Sequence, residues 1–317
     1  MRVRVLGGLF EFESNSRRLL NLVERACAGL PAHTFCTPPP RFRIRLLLSP
    51  HRGEQPGEDV PAMRMHAGAD LLCGTMDSCN FVVVSPGRHT ALVVVSAHML
   101  RHPYHTRYEL IEFALYTLAS RAQQLVSLHA ACVGRNDQGL LLIGPSGAGK
   151  STLSLHCLMQ KMELVGEDAI LVEPQTLLAT GIGSFLHLTA DSLAFAGENN
   201  DDAWIRRAPV IRRRSGIEKF EIDMRRSPFR IASKPPELTS VVFLSRRPVS
   251  RRGERHSLLA PMRRSDFVDR LQVSQPYAAN QPGWETFRKH LSRIEAFELR
   301  RARHPDEAVE ALQRIIG

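Results

Sequence analysis

Apolar and polar positions along the chain follow two periods. Arg41, Phe42, Arg43, Ile44 and Arg45 alternate one by one, as a strand with a single buried face requires, and residues 3–6 also read as a strand. Between them Leu19, Val23 and Ala26 recur at helical spacing. Apolar runs at 81–84 and 91–95, joined by Ser85-Pro-Gly-Arg88, predict a hairpin. Thr106 and Glu109 have capping-box spacing, and Ile111, Leu115, Leu118, Ala122 and Leu125 continue a helical stripe, so a helix over about 107–126 is expected.

From Leu128 the order changes to strand, turn, strand, glycine loop, helix, strand, the grammar of an α/β core. Leu128-His-Ala-Ala-Cys-Val133 reads as one strand, Gly134-Arg-Asn-Asp-Gln-Gly139 as its turn, and 140–143 as the return strand. Further strands are expected at 164–165, 169–172, 241–244 and 296–300, helices at about 261–271 and 305–316, and a polar Arg/Pro loop at 245–255. The division this predicts is an N-terminal α+β domain at 1–105, a connecting helix at 106–126 and an α/β domain at 127–317.

Composition narrows the class. At 317 residues, 43% hydrophobic and 23% charged, the chain can bury one large core or two modest ones. No apolar stretch approaches the ~20 residues of a membrane span, and the first residues lack a signal peptide's apolar centre. Six cysteines form no C-x-x-C pair and are too sparse for a disulfide scaffold, so reduced thiols and a cytoplasmic location without membrane contact are expected. The net charge of +10 is unevenly placed: residues 1–200 balance, whereas the last third holds the whole basic excess. That excess suits an acidic partner or a polyanion, and a GC-rich genome would give the same Arg-for-Lys bias.

Gly144-Pro145-Ser146-Gly147-Ala148-Gly149-Lys150-Ser151 satisfies G-x-x-x-x-G-K-[ST], between an apolar run and a helical pattern. The residue types suit phosphate binding. Glycines let successive amides turn onto phosphate oxygens, the helix that follows adds its positive dipole end, Lys150 reaches the outer phosphates, and Ser151 is the expected Mg2+ ligand beside Thr152. By composition the four constrained positions co-occur by accident in roughly 0.3% of such chains, so the motif is read as a nucleotide site.

Glu167 and Asp168 follow the helix, after Leu164 and Val165. Two adjacent carboxylates at a strand end would emerge on the phosphate side if the strands share one sheet; one can bind Mg2+ and the other can accept a proton from a hydroxyl. His129 would lie near the loop mouth, where it could orient a carboxylate; a histidine on an apolar strand is otherwise a core residue.

In order and spacing, LHAACV, GPSGAGKST and LVGEDAIL resemble the HPr kinase/phosphorylase superfamily of P-loop serine kinases, which includes kinases that phosphorylate serine on precursor peptides. The likeness runs from about 127 to 317 and is strongest at 128–173. It implies a P-loop kinase core of the HPr kinase type with a smaller N-terminal α+β domain, and an ATP- and Mg2+-dependent transfer to a serine of a small protein or peptide. Nucleotide binding then falls on Gly144, Pro145, Ser146, Gly147, Ala148, Gly149, Lys150, Ser151 and Thr152, the base on Glu167, the metal on Ser151 and Asp168, and the neighbouring histidine on His129. The family's usual first acid is aspartate; here it is Glu167. The glutamate-arginine-glycine signature of the bifunctional enzymes is not recognisable, and Ser215-Gly-Ile-Glu-Lys219 is similar to the Gly-x-x-Lys segment of monofunctional relatives. This implies kinase without phosphorylase activity, with Lys219 as a further nucleotide contact or a solvated charge.

Other signals are weaker. His98 and His102 have i, i+4 spacing, but Pro103 interrupts the helix and no acid completes a metal set nearby. Gly181-Ile-Gly183 reads as a loop. Arg212 to Arg214 and Arg246-Arg247 through Arg251-Arg252 read as solvated loops, because no aromatics interleave them as nucleic-acid binding would require. A small-molecule hydroxyl kinase and a nucleotide-dependent nucleic-acid-binding protein stay open as alternatives. Nucleic acid is the disfavoured partner, and a homo-oligomer is compatible with everything above.

Overall fold

The computed structural model describes residues 1–50, 60–195, 203–248 and 258–316. It is a mixed α/β protein that divides into two compact units, Met1–Leu125 and Val126–Gly317.

In the first unit, alternation builds a seven-stranded sheet in the order Arg2–Val5, Gly8–Ser14, Arg41–Ser49, Thr90–Ser96, Asn80–Ser85, Leu71–Asp77, Arg64–Gly68. Phe42, Ile44 and Leu46 are buried while Arg41, Arg43 and Arg45 face water, and the helix Arg17–Cys27 buries Leu19, Val23 and Ala26. The hairpin is present as the antiparallel pair Asn80–Ser85 and Thr90–Ser96. The capping box is not. Thr106 Oγ1 donates to the carbonyls of Met99 (2.8 Å) and His102 (3.0 Å), and Glu109 pairs with His105 Nδ1 at 2.8 Å. Proline lacks the N–H that a helix start leaves unused, so Pro103 opens a short helix (Pro103–His105). A wide π-turn (Thr106–Ile111) then leads into the helix Glu112–Ala122.

The second unit is built on a seven-stranded sheet ordered Arg230–Ile231, Glu163–Gly166, Ala131–Arg135, Gln138–Ile143, Glu237–Pro248, Glu295–Arg301, Leu259–Pro261. Its two faces sort residues by parity. Cys132, Leu141, Ile143, Val241 and Phe243 pack with Phe267 and Leu271 of the helix Arg264–Ser274 and with Trp284, Phe287 and Leu291 of the helix Trp284–Leu291. Ala131, Val133, Leu140, Leu142 and Val242 pack with Leu153 and Cys157 of the helix Lys150–Met159 and with Val309 and Leu312 of the helix Pro305–Gln313. A three-stranded sheet (Phe185–Leu188, Glu218–Asp223, Val210–Arg212) covers Leu155 and Leu158 on the other side of the first of these helices. Burial on two sides explains why that helix has no polar stripe; each buried leucine contributes about 1.5–3 kcal/mol.

Three expectations are corrected here. The single strand at 128–133 is two, Val126–Leu128 and Ala131–Arg135, which enter different sheets on either side of His129 and Ala130. The Arg/Pro loop begins later: Glu237–Pro248 carries Arg246 and Arg247 in strand, while Arg251 and Arg252 lie outside the described residues. Gly181 ends the strand Ala179–Gly181 rather than sitting in a loop. Among the described residues, no helix is long and apolar enough to cross a membrane.

Candidate functional site

Glu163–Gly166 and Gln138–Ile143 are both antiparallel to Ala131–Arg135, which lies between them. They therefore run the same way, and so does Glu237–Pro248. The carboxyl ends of all three reach one edge of the sheet, where an open α/β sheet presents its loops to a ligand. Residues 144–149 leave from one strand there and Glu167-Asp168 from another.

The loop turns through two positive φ angles, +75° at Gly147 and +96° at Gly149, which side chains with a Cβ rarely adopt. Ala148 N donates to Pro145 O at 3.1 Å, whereas the amides of Ser146, Gly147 and Gly149 meet no acceptor among the described residues. The first amides of the helix have no intrahelical acceptor either, so this end of the helix offers a set of donors to an anion. Lys150 folds back across the loop, donating to Gly144 O (2.7 Å) and lying 3.5 Å from both Pro145 O and His129 Nε2. Burial lowers its pKa, Asp168 and Glu167 oppose that, and Lys219 adds to it. Arg246 closes the loop's outer side by donating to Ser146 O at 2.8 Å.

Glu167 points inward. Ser151 Oγ donates to its Oε1, and its Oε2 accepts from His187 N at 2.8 Å. His187 Nδ1 lies 3.6 Å from the same oxygen, and its Nε2 lies 3.4 Å from Glu221 Oε1. The strand register places His187 directly opposite Glu221. Burial alone would lower the pKa of His187, but the hydrogen bonds to Glu167 and Glu221 outweigh it and the net shift is upward.

Asp168 points elsewhere. Its Oδ2 accepts from Arg213 Nη2 at 2.7 Å. Burial would raise its pKa, yet the charge and hydrogen bond of Arg213, with His187 and His129, hold it well below the usual carboxylate range. Ala169 N donates to Glu167 O at 2.8 Å across Asp168, a three-residue turn whose central φ is +66°. A non-glycine residue there carries strain of order 1–3 kcal/mol, a feature that clusters at functional sites.

His129 sits in the gap between the two strands, not on one. Its Nδ1 is 2.9 Å from Asp168 O. A carbonyl only accepts, so Nδ1 carries the proton and the Nε2 lone pair faces Lys150. Val126–Leu128 is an edge strand, laddered to Ile170–Val172 on one side, so the main-chain groups of Ser127 and His129 that face the other way have no ladder partners. Two glutamines take their place: Gln275 Oε1 accepts from His129 N (2.9 Å) while its Nε2 donates to His129 O (3.1 Å), and Gln281 does the same for Ser127 at 2.9 and 3.1 Å.

The structure thus brings Lys150, Ser151, Glu167, Asp168 and His129 together, with Lys219 within electrostatic reach of Lys150. Thr152 turns to Ser192 at 2.8 Å. Ser151 meets Glu167 rather than Asp168, whose carboxylate meets Arg213. Arg213 is correspondingly no solvated loop residue. Gln275, Gln281, His187 and Glu221 were not anticipated; a histidine and a glutamate on apolar strands were the available signal for the last two. Ser151 and Glu167 set a hydroxyl and a carboxylate oxygen against each other, a hard-oxygen donor pair that fits Mg2+.

No family model matches the chain, and no curated protein matches it. Among solved structures it is similar to the Hpr(Ser) kinase/phosphatase from Coxiella burnetii, at 12% identity and a TM-score of 0.32, over 60% of this chain and 87% of that one.

Proposed function

We propose that this protein is an ATP-dependent kinase that moves the γ-phosphoryl group to a serine hydroxyl of a small protein or peptide. The observation that carries the reading is the contact between Ser151 and the buried Glu167 at the start of the glycine-loop helix, beside Lys150. A hydroxyl, an acid and an ammonium group there match what a nucleoside triphosphate and its cation require. Ser151 and Glu167 would hold Mg2+, which when bound neutralises phosphate charge. Lys150 and the loop amides bind the phosphate oxygens and oppose the charge that develops in transfer.

Asp168 is the acid that the acceptor can reach: its side chain is 18% exposed against 2% for Glu167. It takes the hydroxyl proton, and Arg213 fixes its carboxylate in place. His129 orients Lys150 from one side. Arg212 and Arg214, both exposed, flank this end of the site and favour an acidic acceptor.

The test is transfer of labelled γ-phosphate to serine peptides of acidic and neutral composition. Lys150→Met is expected to abolish it. Glu167→Gln is expected to weaken Mg2+-dependent nucleotide binding, whereas Asp168→Asn keeps that binding and cuts transfer by ~10²-fold or more. Wild-type transfer by Lys150→Met would remove the reading.

A further inference from the structure

We infer that His156, His304 and Asp306 form a site for a divalent transition-metal ion of the zinc class, separate from the Mg2+ corner at Ser151 and Glu167. His156 lies on the glycine-loop helix beyond Ser151, and His304 and Asp306 lie at the start of the helix Pro305–Gln313. One ligand atom from each of the three lies within 4.8 Å of the others. His156 Nδ1 is 2.7 Å from Asp306 Oδ1, and His304 Nδ1 is 3.3 Å from Asp306 Oδ2.

Zinc bonds of about 2.0–2.1 Å in a tetrahedron set ligand atoms roughly 3.3 Å apart. The two separations fall on different oxygens of Asp306, so the carboxylate binds through both or turns to bring one within reach of both imidazoles. Their rings are already edge to face with centroids 5.5 Å apart, and Phe195 covers His304 at 5.7 Å.

A second observation concerns His156 alone. Its side chain is 1% exposed, Asp306 is its polar partner, and its Nε2 meets no hydrogen-bond partner among the described residues. The Nδ1 that faces Asp306 is also the atom that meets the ion, which takes the place of the proton shared between the two groups. Two imidazoles and one carboxylate suit zinc, nickel or copper and discriminate against Mg2+ and Ca2+, which take oxygen ligands. Three protein ligands leave a fourth position for water. An ion here would tie the helix Pro305–Gln313 to the helix that follows the glycine loop.

The experiment titrates Zn2+ against a chromophoric chelator in the untagged full chain, stripped of metal beforehand. One equivalent is expected to be lost in each of His304→Ala and Asp306→Asn, both of which alter partly exposed side chains. Zn2+ at a hundredfold excess over its Kd is expected to raise the melting midpoint of the wild type by about 5 °C or more, and of neither variant. The histidines at 98, 102 and 105 are unchanged in both variants, so the difference reports this cluster. Equal zinc binding by wild type and variants, or none by the wild type, overturns the inference; melting in chelator verifies that the variants are folded.

Discussion

Replacing Gln275 with methionine isolates the brace on His129. Methionine nearly conserves the volume, so no cavity opens around this buried side chain. What disappears is the pair of hydrogen bonds at 2.9 and 3.1 Å to the amide and carbonyl of His129. At about 0.5–1.5 kcal/mol each, the loss is about 2 kcal/mol. For a unit of this size that corresponds to a fall of about 4–8 °C in Tm, read by circular dichroism. The functional consequence is larger. Without the brace the main chain at 129 drifts, carrying the imidazole away from Lys150 Nζ and Asp168 O, and single-turnover phosphoryl transfer is expected to drop at least tenfold. Gln281→Met is the internal control. It removes the equivalent pair from Ser127 and lowers Tm similarly, but leaves transfer within about threefold. Equal transfer by wild type and Gln275→Met, or equal losses in the two variants, would refute the claim that the brace acts through His129.

Two further perturbations address the acids. Arg213→Leu leaves Asp168 without its cation, and because both side chains are only 18% exposed the expected cost at neutral pH is about 1–3 kcal/mol. Arg213 holds the folded-state pKa of Asp168 down, so this stabilisation is present above the ordinary carboxylate range and is lost as pH falls through the depressed value. Denaturant titrations of wild type and variant are therefore expected to differ fully at pH 6–7 and to draw together only as pH falls from the ordinary carboxylate value of about 4 toward the depressed one; a constant gap would show that Asp168 is not the partner lost. Gly166→Ala tests the approach to Glu167: a Cβ there would stand 3.0 Å from Gly181 Cα and 3.1 Å from Ile170 Cδ1. With backbone on one side unable to yield, a loss of about 1–3 kcal/mol is expected, and wild-type melting would show that the two strands can separate.

What the sequence made legible followed from local rules. Residues 41–46 and the hairpin could be read because a sheet with one buried face writes a period of two. The glycine loop could be read because its turn takes positive φ at Gly147 and Gly149, which constrains residue type at fixed spacing. The contact of Ser151 with Glu167 could not. Adjacent carboxylates on a tight turn point apart, and which one meets Ser151 depends on the φ of +66° at Asp168 and on Arg213, 45 positions away. The break at His129 was hidden because Leu128-His-Ala-Ala-Cys-Val133 is apolar apart from that histidine and has no glycine, proline or other turn residue to mark where the chain leaves one sheet for another. Thr106 misled for a related reason: its hydroxyl had two carbonyls to choose from in the preceding turn, and these outcompeted the helix start.

The two glutamine braces reach back 146 and 154 positions along the chain. During synthesis, the phosphate loop and both acids leave the ribosome well before either glutamine exists. A nascent chain stopped between residues 219 and 274 therefore carries the glycine loop, both acids and Lys219 yet lacks the glutamine that holds His129 beside them. Competence arrives late, with the C-terminal segment, as a timing rule written into the tertiary structure.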